Sequence, residues 1–327
     1  MLISTPLTKR LDIAHPVLLA PMDLVADARL TSAVSKAGGL GILGGGYGDE
    51  QWLNRELGRL DDSRVRFGVG FITWSMARQP KLLDLVLERK PAAVLLSFGD
   101  PAPFIESIKR AHALAICQVQ SLALANEAVA AGADILIAQG SEGGGHGASR
   151  GLSALVPEIV DAVNDRALVV AAGGIADGRG LAAALMLGAS GVLMGTRFYA
   201  TTEAAGAQSA KRRICDANGD LTERSIVFDI SRENVWPAPF TGRCLRNQHL
   251  DAWYGRELEL LRNQKREAAK YATARKEENF DIAAVIAGES AGLVKDVMPA
   301  RDVIHTMVRD AIDLLKSGAR NIELSEV

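Results

Sequence analysis

The segment ALVVAAGGIADGRGLAAALMLGASGVLMG (167–195) contains one complete structural repeat of the chain. It begins with a continuous apolar run, ALVVAAG (167–173), and ends with a second one, GVLMG (191–195). Between them lies a helical pattern, ADGRGLAAALMLG (176–188). Continuous rather than alternating apolar runs are typical of parallel strands that are buried on both faces. The segment therefore predicts a strand–helix–strand unit with parallel strands.

The same alternation extends back to the N-terminal region. Six further apolar runs precede the segment: VLLAP (17–21), LGILG (40–44), RFGVGFI (66–72), AAVLLSF (92–98), LAICQV (114–119) and DILIAQG (134–140). Helical patterns such as ARLTSAVSKAG (28–38) and LALANEAVAAG (122–132) separate them, and several end near a glycine, as helix C-termini prefer. Eight strand–helix units predict an α/β fold, a (β/α)8 TIM barrel.

A doubly wound parallel sheet is the competing architecture. Such a sheet usually has fewer strands, and its glycine fingerprint G-x-G-x-x-G follows the first strand. Here the first strand is followed by Ala20-Pro21-Met22, without that fingerprint. The sequence therefore favours the barrel.

The repeat is interrupted after Tyr199. The long polar segment YGRELELLRNQKREAAKYATARKEENF (254–280) has a helical pattern, and its charges are those of a solvated helix face. MPARDVIHTMVRDAIDLLKSG (298–318) then follows as an amphipathic helix with Pro near its start and Gly at its end. The interpretation is an insertion after the eighth strand, with the last barrel helix supplied by the C-terminal segment.

These boundaries predict two units. Residues 1–203 and 296–327 form the barrel, and residues 204–295 form an inserted, mainly helical lid. The lid is expected over the C-terminal mouth of the barrel, where the active sites of this fold lie.

Composition limits the classes of partner. The 327 residues carry 37 Lys and Arg against 39 Asp and Glu, a balance that argues against nucleic-acid binding. The N-terminal residues lack a secretion signal, and no apolar run approaches the roughly 18 residues of a membrane span. The three cysteines form no C-x-x-C pair. We expect a soluble, cytoplasmic protein; its oligomeric state stays open, with a homodimer as the candidate.

The loops after the seventh and eighth strands predict a phosphate site. Gly173 and Gly174 follow the seventh strand, and Gly195 and Thr196 follow the eighth. Glycines there allow backbone N–H groups to approach an anion closely, and TIM barrels commonly hold a phosphate at this pair of loops. The alternative is that the glycines only make tight turns. The two loops together favour a phosphorylated ligand.

The segment AQGSEGGGHG (138–147) places one histidine, His146, among glycines after the sixth strand. An imidazole near its unperturbed pKa can take or give a proton at neutral pH, so His146 is the candidate catalytic residue. The remaining histidines are interpreted as structural or surface residues: His15, His112, His249 and His305.

A metal site is not expected. Three acidic residues follow strands, but no second histidine joins His146 to complete a ligand set: Asp23, Asp100 and Glu142.

Four segments together resemble the nitronate monooxygenase (2-nitropropane dioxygenase) family of FMN-dependent barrel enzymes. They are HPVLLAPM (15–22), AQGSEGGGHG (138–147), AAGGIADGRGLAAALMLGASGVLMGTRF (171–198) and the lid-like TGRCLRNQHLDAW (241–253). The likeness runs from about residue 10 to the C-terminus. The histidine loop and the two phosphate loops make it specific.

The resemblance implies a role for each matched position. His146 would be the base or the substrate-orienting residue. The FMN phosphate would lie on Gly173, Gly174, Gly195 and Thr196. The isoalloxazine would rest on Ala20, Pro21 and Met22 and against Gly144 and Gly145. Gln139 would reach the ribityl chain or the phosphate, and Gln118 would donate to the flavin N1/O2 edge.

Two positions depart from the family pattern. Many members have Asn at the end of strand three, where this chain has Gly70, so only backbone would meet the flavin there. Some members have Lys near the position of Gln118, and neutral Gln would stabilise an anionic flavin less. Both departures bear on the substrate more than on the cofactor.

The implied reaction oxidises an alkyl nitronate with O2 to a carbonyl compound and nitrite. An NAD(P)H-dependent flavin reductase of quinones or enoyl thioesters is the alternative, since such enzymes resemble the chain in the same loops. A dehydrogenase of nucleoside monophosphates would need a cysteine in the loop after strand six, and residues 140–151 contain none. A ligand-binding barrel without catalysis is the remaining class, and His146 argues against it.

Overall fold

The predicted apolar runs form strands in the computed structural model, which describes residues 2–318. Met1 and the predicted barrel residues 319–327 lie outside the described residues. In chain order, the strands are β1 (Val17–Leu19), β2 (Gly41–Gly44), β3 (Phe67–Ile72), β4 (Ala93–Ser97), β5 (Leu114–Val119), β6 (Ile135–Gln139), β7 (Gly145–Gly147), β8 (Leu168–Ala172), β9 (Val192–Met194), β10 (Thr222–Ser225) and β11 (Thr241–Leu245).

Eight of these strands form one parallel sheet that closes on itself. Their order is β1-β9-β8-β6-β5-β4-β3-β2, and every neighbouring pair is parallel. A bridge between Leu18 and Leu40 joins the two ends of this order. The predicted TIM barrel is confirmed.

Helices connect the barrel strands and also form much of the segment between β9 and the C-terminal helix. In chain order, they are α1 (Pro6–Leu11), α2 (Ala28–Lys36), α3 (Glu50–Ser63), α4 (Thr73–Met76), α5 (Lys81–Leu87), α6 (Ala102–Arg110), α7 (Leu122–Ala131), α8 (Leu152–Val163), α9 (Gly178–Met186), α10 (Thr196–Tyr199), α11 (Gln208–Asp216), α12 (Val227–Ser231), α13 (Gln248–Trp253), α14 (Glu257–Arg262), α15 (Gln264–Lys276) and α16 (Ala300–Ser317). Short 3-10 turns cover Gly219–Leu221 and Glu289–Leu293.

The C-terminal helix α16 completes the outer ring. It packs between α9 and α2, the helices that flank the gap left after β9. The approach to α9 is close, since a Cβ built on Gly178 would lie 2.6 Å from Cβ of Asp310 and 2.8 Å from the carbonyl oxygen of Met307. Glycine at this position therefore lets the last helix take its place in the ring.

The N-terminal end of the barrel is closed by α1. Leu7 and Leu11 of this helix are fully buried and join the interior cluster of the barrel with strand residues such as Leu18, Ile42 and Leu193. The side chains of α1 therefore fill the barrel interior at the amino ends of the strands. The open end is therefore the one at which the carboxyl ends of the strands lie.

A second, smaller sheet connects the barrel to the segment between β9 and α16. Its order is β10-β11-β7, and both pairs are antiparallel. His146 of β7 lies opposite Gly242 of β11. The sequence analysis treated the region around His146 as a loop, so this sheet is an addition to the prediction.

The helical part of this segment differs in detail from the expectation. The pattern at 254–280 forms two helices, α14 and α15, which are separated at Asn263. The segment has its own buried apolar cluster, to which Phe228, Leu250, Leu260 and Tyr271 contribute. Within residues 2–318, no helix combines the length and the apolar composition that crossing a bilayer requires.

Candidate active site

A cavity of about 460 Å³ lies at the carboxyl ends of the barrel strands. Every site residue predicted from the sequence lines it: Ala20, Pro21, Met22, Gly70, Gln118, Gln139, Gly144, Gly145, His146, Gly173, Gly174, Gly195 and Thr196. The segment between β9 and α16 adds further side chains, among them Arg232 and Trp236. The structure therefore brings the predicted residues together in one place.

Unpartnered backbone donors mark one side of this cavity. Within residues 2–318, no acceptor is found for the N–H groups of Gly173, Gly174, Gly195 and Thr196. Buried or half-buried backbone N–H groups are almost always paired, so a cluster of free donors indicates a missing acceptor. Convergent backbone N–H groups of this kind form anion sites.

The backbone conformation requires glycine at two of these positions but not at Gly195. Gly173 and Gly174 have φ of 105° and 71°, which disfavours any side chain. Gly195 has no positive φ, and a Cβ built on it would meet only Ala20 Cβ at 3.5 Å and Met22 Sδ at 3.6 Å. The fold does not require glycine at 195, and a Cβ there would occupy the cavity.

The helix that follows Gly174 does not contribute free donors at its start. Asp177 caps α9 by accepting hydrogen bonds from the N–H groups of Arg179 and Gly180, at 3.0 and 3.2 Å. The Thr196 hydroxyl oxygen already accepts the N–H of Gly288 at 2.9 Å. An anion at this rim would therefore be held mainly by the four free N–H groups.

Gly70 and Pro21 contribute a part of the cavity lining at which there is no room for a side chain on residue 70. A Cβ at Gly70 would lie 2.4 Å from Cβ and Cγ of Pro21, so the proline ring excludes a side chain here. Gly144 has a similar explanation: its Cβ would lie 2.6 Å from the backbone of Ala287 and Gly288. These glycines are needed by the packing of the protein itself, and they also leave backbone facing the cavity.

Three glutamines form a hydrogen-bonded cluster behind the histidine strand. Gln118 and Gln120 donate to Oε1 of Gln139, at 3.1 and 2.8 Å. The Gln139 amide in turn donates to the carbonyl oxygen of His146 at 2.9 Å. Gln139 therefore fixes the backbone of the candidate catalytic residue, a role not predicted from the sequence.

The His146 side chain makes a hydrogen bond to Asp229 of α12. Both carboxylate oxygens lie 3.0 Å from Nε2, and the side chains are only 10% and 7% exposed. No other donor within residues 2–318 bonds to this carboxylate. Because a carboxylate only accepts, Nε2 carries the proton, and Nδ1 keeps its lone pair. Nδ1 bonds to no group of the described chain and is not enclosed.

Burial lowers the pKa of His146 from its ordinary value, and the hydrogen bond that Nε2–H donates to Asp229 only partly opposes this effect. The pKa of His146 is therefore not the unperturbed value expected from the sequence. Since the pKa is lowered, the imidazole is neutral at pH 7. A neutral imidazole with Nε2–H fixed can accept a proton at Nδ1.

Aromatic side chains surround the imidazole. The indole of Trp236 stacks on the His146 ring with centroids 3.4 Å apart and planes 6° from parallel. Phe98 contacts both rings edge-on, at 6.4 Å from His146 and 5.1 Å from Trp236. Phe98 has φ of 63°, a strained conformation for a bulky residue, and such strain concentrates at functional sites.

Arg224 of β10 fastens the histidine-containing segment to the second sheet. Its guanidinium donates to the carbonyl oxygens of Ser141 at 2.9 Å and Gly143 at 3.0 Å, and also to those of Gly145 and Thr241. Burial lowers the pKa of Arg224 to about 10, and the neighbouring Arg243 acts in the same direction. The position of His146 therefore depends on residues far away in the sequence.

Sequence reasoning missed Asp229, Arg232, Trp236 and Tyr47. Tyr47 follows β2 in GGGYG (44–48), and its place after a barrel strand was a usable signal. Trp236 lies in the segment between β9 and α16 and follows no barrel strand directly. Asp229 and Arg232 lie in a stretch of sequence without a motif. Only the fold brings Arg232 to the cavity and Asp229 to His146. Within residues 2–318, no cluster of His, Cys, Asp and Glu could hold a metal ion.

Comparison with known proteins places the chain in a family. The family model described as "Nitronate monooxygenase" matches residues 4–62 and 70–310. A nitronate monooxygenase of Neurospora crassa is 32% identical, over 92% of this chain and 90% of that protein. The (3aS,4S,5R,7aS)-5-hydroxy-7a-methyl-1-oxo-octahydro-1H-indene-4-carboxyl-CoA dehydrogenase of Mycobacterium tuberculosis is 30% identical, over 99% of this chain and 100% of that protein.

A solved structure agrees with these relatives. FabK from Thermotoga maritima superimposes with a TM-score of 0.83 at 30% identity, over 96% of this chain and 98% of that chain. The likeness therefore covers the barrel and the segment between β9 and α16 together. The chain belongs to the nitronate monooxygenase family and is a flavin-type oxidoreductase.

Proposed function

We propose that the protein is an FMN-dependent nitronate monooxygenase, which converts an alkyl nitronate and O2 to a carbonyl compound and nitrite. One observation carries the proposal. A single cavity combines four unpartnered N–H groups, which suit a phosphate, with a neutral imidazole that is held by a carboxylate. Family membership supports the reaction class.

The phosphate of FMN is proposed to lie on the N–H groups of Gly173, Gly174, Gly195 and Thr196. The room beside Gly195, which a Cβ would fill, supports this placement. The ring is proposed to rest on the backbone wall of Ala20, Pro21, Met22 and Gly70, with Gly144, Gly145 and Gln118 beside it. FMN, when bound, supplies the oxidation of the nitronate and the transfer of electrons to O2.

His146 is proposed to act as a base on neutral nitroalkanes. Because Nε2–H is donated to Asp229, the lone pair of Nδ1 is the one that can take the α-proton. Asp229 then stabilises the imidazolium that forms. A nitronate has already lost that proton, so the base is not needed for it. The same geometry argues against the alternative role, since a neutral Nδ1 offers no donor to a nitro oxygen.

Residues 204–295 are proposed to serve as a lid over the barrel mouth. The second sheet pairs β11 with β7, and Arg224 binds the carbonyls of the histidine segment. Asp229 and Trp236, which contact His146, both come from this segment. A lid fixed in this way would exclude water from the reacting atoms and complete the set of catalytic side chains.

An absorbance spectrum and a nitrite assay test the proposal. The purified protein should show flavin absorbance bands and should release nitrite when it is mixed with ethyl nitronate in air. The variant His146→Asn should keep its flavin and should lose turnover of nitroethane far more than turnover of ethyl nitronate. Equal losses on both substrates would remove the base from the mechanism, and a protein that produces no nitrite would refute the proposed reaction.

A second candidate is an NAD(P)H-dependent flavin reductase of quinones or enoyl thioesters. It is favoured by the relative from Mycobacterium tuberculosis, whose name describes a dehydrogenase of a carboxyl-CoA compound. Anaerobic mixing with NADH or NADPH distinguishes the two candidates. Rapid bleaching of the flavin band supports the reductase, whereas slow or absent bleaching supports the monooxygenase.

A further inference from the structure

The hydroxyl group of Tyr47 has a proton to donate and no acceptor among residues 2–318. Its oxygen accepts two hydrogen bonds, from Nε1 of Trp236 at 3.0 Å and from the guanidinium of Arg232 at 3.2 Å. A tyrosine hydroxyl donates one hydrogen bond besides those it accepts. Tyr47 lines the cavity, so this proton is available to a ligand there.

Tyr47 stays protonated at neutral pH. Burial raises the pKa of Tyr47 above its ordinary value, and the nearby Arg232 opposes this only in part. The two N–H groups that point at its oxygen draw electron density away from the O–H bond, which makes the hydroxyl a stronger donor. The hydroxyl is therefore suited to bind an oxygen atom that carries negative charge.

Arg232 is a half-buried cation that has no ion-pair partner among the residues that the structure describes. No carboxylate within residues 2–318 lies within 4.0 Å of its guanidinium. Asp229 and Asp23 act on it only at longer range, and the Asp229 carboxylate is already occupied by His146. An enclosed charge is costly unless it is paired. Since Arg232 also lines the cavity, an anionic ligand is the natural partner.

This pair is distinct from the phosphate rim. Tyr47 follows β2 and Arg232 follows α12, whereas the four unpartnered N–H groups follow β8 and β9. Trp236 connects the pair to the base, because its indole stacks on His146 at 3.4 Å while its N–H reaches Tyr47. The anionic group would therefore be held beside the imidazole.

We infer that Tyr47 and Arg232 form the binding site for the negatively charged oxygens of the substrate. The inference rests on the proposed function, in which those oxygens belong to the NO2 group of a nitronate. Arg232 balances the charge, and Tyr47 donates a directional hydrogen bond. His146 is then left free to act on the neighbouring carbon atom.

Nitrate tests the site without turnover, because it is a planar anion with the same O–N–O arrangement as a nitronate. The flavin-loaded protein is titrated with nitrate, and the change in flavin absorbance is recorded. We expect saturable binding that weakens about tenfold or more in Tyr47→Phe and in Arg232→Met, since each loses a hydrogen bond or a charge on an ion. Arg232→Lys keeps the charge and should bind nitrate more tightly than Arg232→Met.

Two surface variants serve as controls, Tyr254→Phe and Arg262→Lys, because both residues are exposed and lie outside the cavity. Their nitrate affinity should match that of the unmodified protein. Retained flavin absorbance shows that a variant is folded. Nitrate affinity that is unchanged in both Tyr47→Phe and Arg232→Met, or no saturable binding to the unmodified protein, would overturn the inference.

The nitrite assay keeps this test separate from the proposed reaction. If nitrate binds as expected but ethyl nitronate yields no nitrite, the anion site stands and the proposed reaction fails. If nitrite forms but the variants show an unchanged KM for ethyl nitronate and unchanged nitrate affinity, the reaction stands and the anion site fails.

Discussion

The substitution Asp229→Asn tests how the segment between β9 and α16 controls the proposed base. In the folded protein, both carboxylate oxygens of Asp229 lie 3.0 Å from Nε2 of His146, and this geometry leaves the lone pair on Nδ1. Asparagine has nearly the same shape but carries an NH2 group. When that group donates to Nε2, the ring proton moves to Nδ1, and the base loses its lone pair.

The expected magnitude follows from two effects. Loss of a hydrogen bond to a charged acceptor, about 1.5–3 kcal/mol, destabilises the imidazolium and corresponds to roughly 10- to 150-fold in rate. The reversed tautomer removes more of the general-base contribution, which is about 10²–10⁴-fold in total. We therefore expect kcat/KM for neutral nitroethane to fall by about 10²–10⁴-fold. Turnover of ethyl nitronate, which needs no proton removal, should fall much less.

The assay measures nitrite release from nitroethane and from ethyl nitronate with the same flavin-loaded preparations. The ratio of the two kcat/KM values is the diagnostic quantity, because a general loss of structure would lower both values together. Asp251→Asn is the matched control, since Asp251 is an exposed carboxylate of the same segment that pairs with Arg246. An unchanged ratio in Asp229→Asn would refute the assigned role of Asp229.

Two further predictions concern the phosphate rim and pH. Gly195→Ala should leave the free energy of unfolding of the flavin-free protein unchanged or raise it by up to about 1 kcal/mol, because the φ of Gly195 is compatible with alanine. The same substitution should weaken FMN binding about tenfold or more, because the added Cβ enters the cavity. Gly173→Ala should lower the free energy of unfolding by about 1–3 kcal/mol, because Gly173 has φ of 105° and the added Cβ would lie 2.9 Å from the Gly140 oxygen. Thermal melts and FMN titrations of both variants check these two predictions. Equal destabilisation by Gly195→Ala and Gly173→Ala would contradict them. Burial lowers the pKa of His15, His146 and His249, so the unfolded chain binds more protons than the folded chain just below pH 6.5, and stability should decrease from pH 7.5 to 5.5. A Tm that is constant or higher at pH 5.5 would show that these histidines do not behave as described.

The barrel could be predicted because its strands are continuous apolar runs. Each of the eight runs, such as DILIAQG (134–140), contains an observed strand within its bounds, here β6. The glycine and threonine positions after β8 and β9 followed from the rule that barrel sites lie at the carboxyl ends of strands. Gly195 and His146 could be predicted to line one cavity because sequence order along a barrel fixes which loops meet.

The remainder depends on contacts that no periodic pattern encodes. Strand β7 has only three residues, Gly145–Gly147, and becomes a strand because β11 pairs with it. Asp229 is 83 residues from His146 in the chain, and its stretch carries no motif. The lowered pKa of His146 likewise results from burial under Trp236 and α12, which the sequence alone does not show.

The central claim is that the glycine rim holds a phosphorylated flavin next to His146. Its most direct test is to release the chromophore from the purified protein by heat and to identify it by mass spectrometry. The account predicts FMN, close to one molecule per chain. A chain that binds riboflavin as tightly as FMN, or that carries no flavin after incubation with FMN, would contradict it.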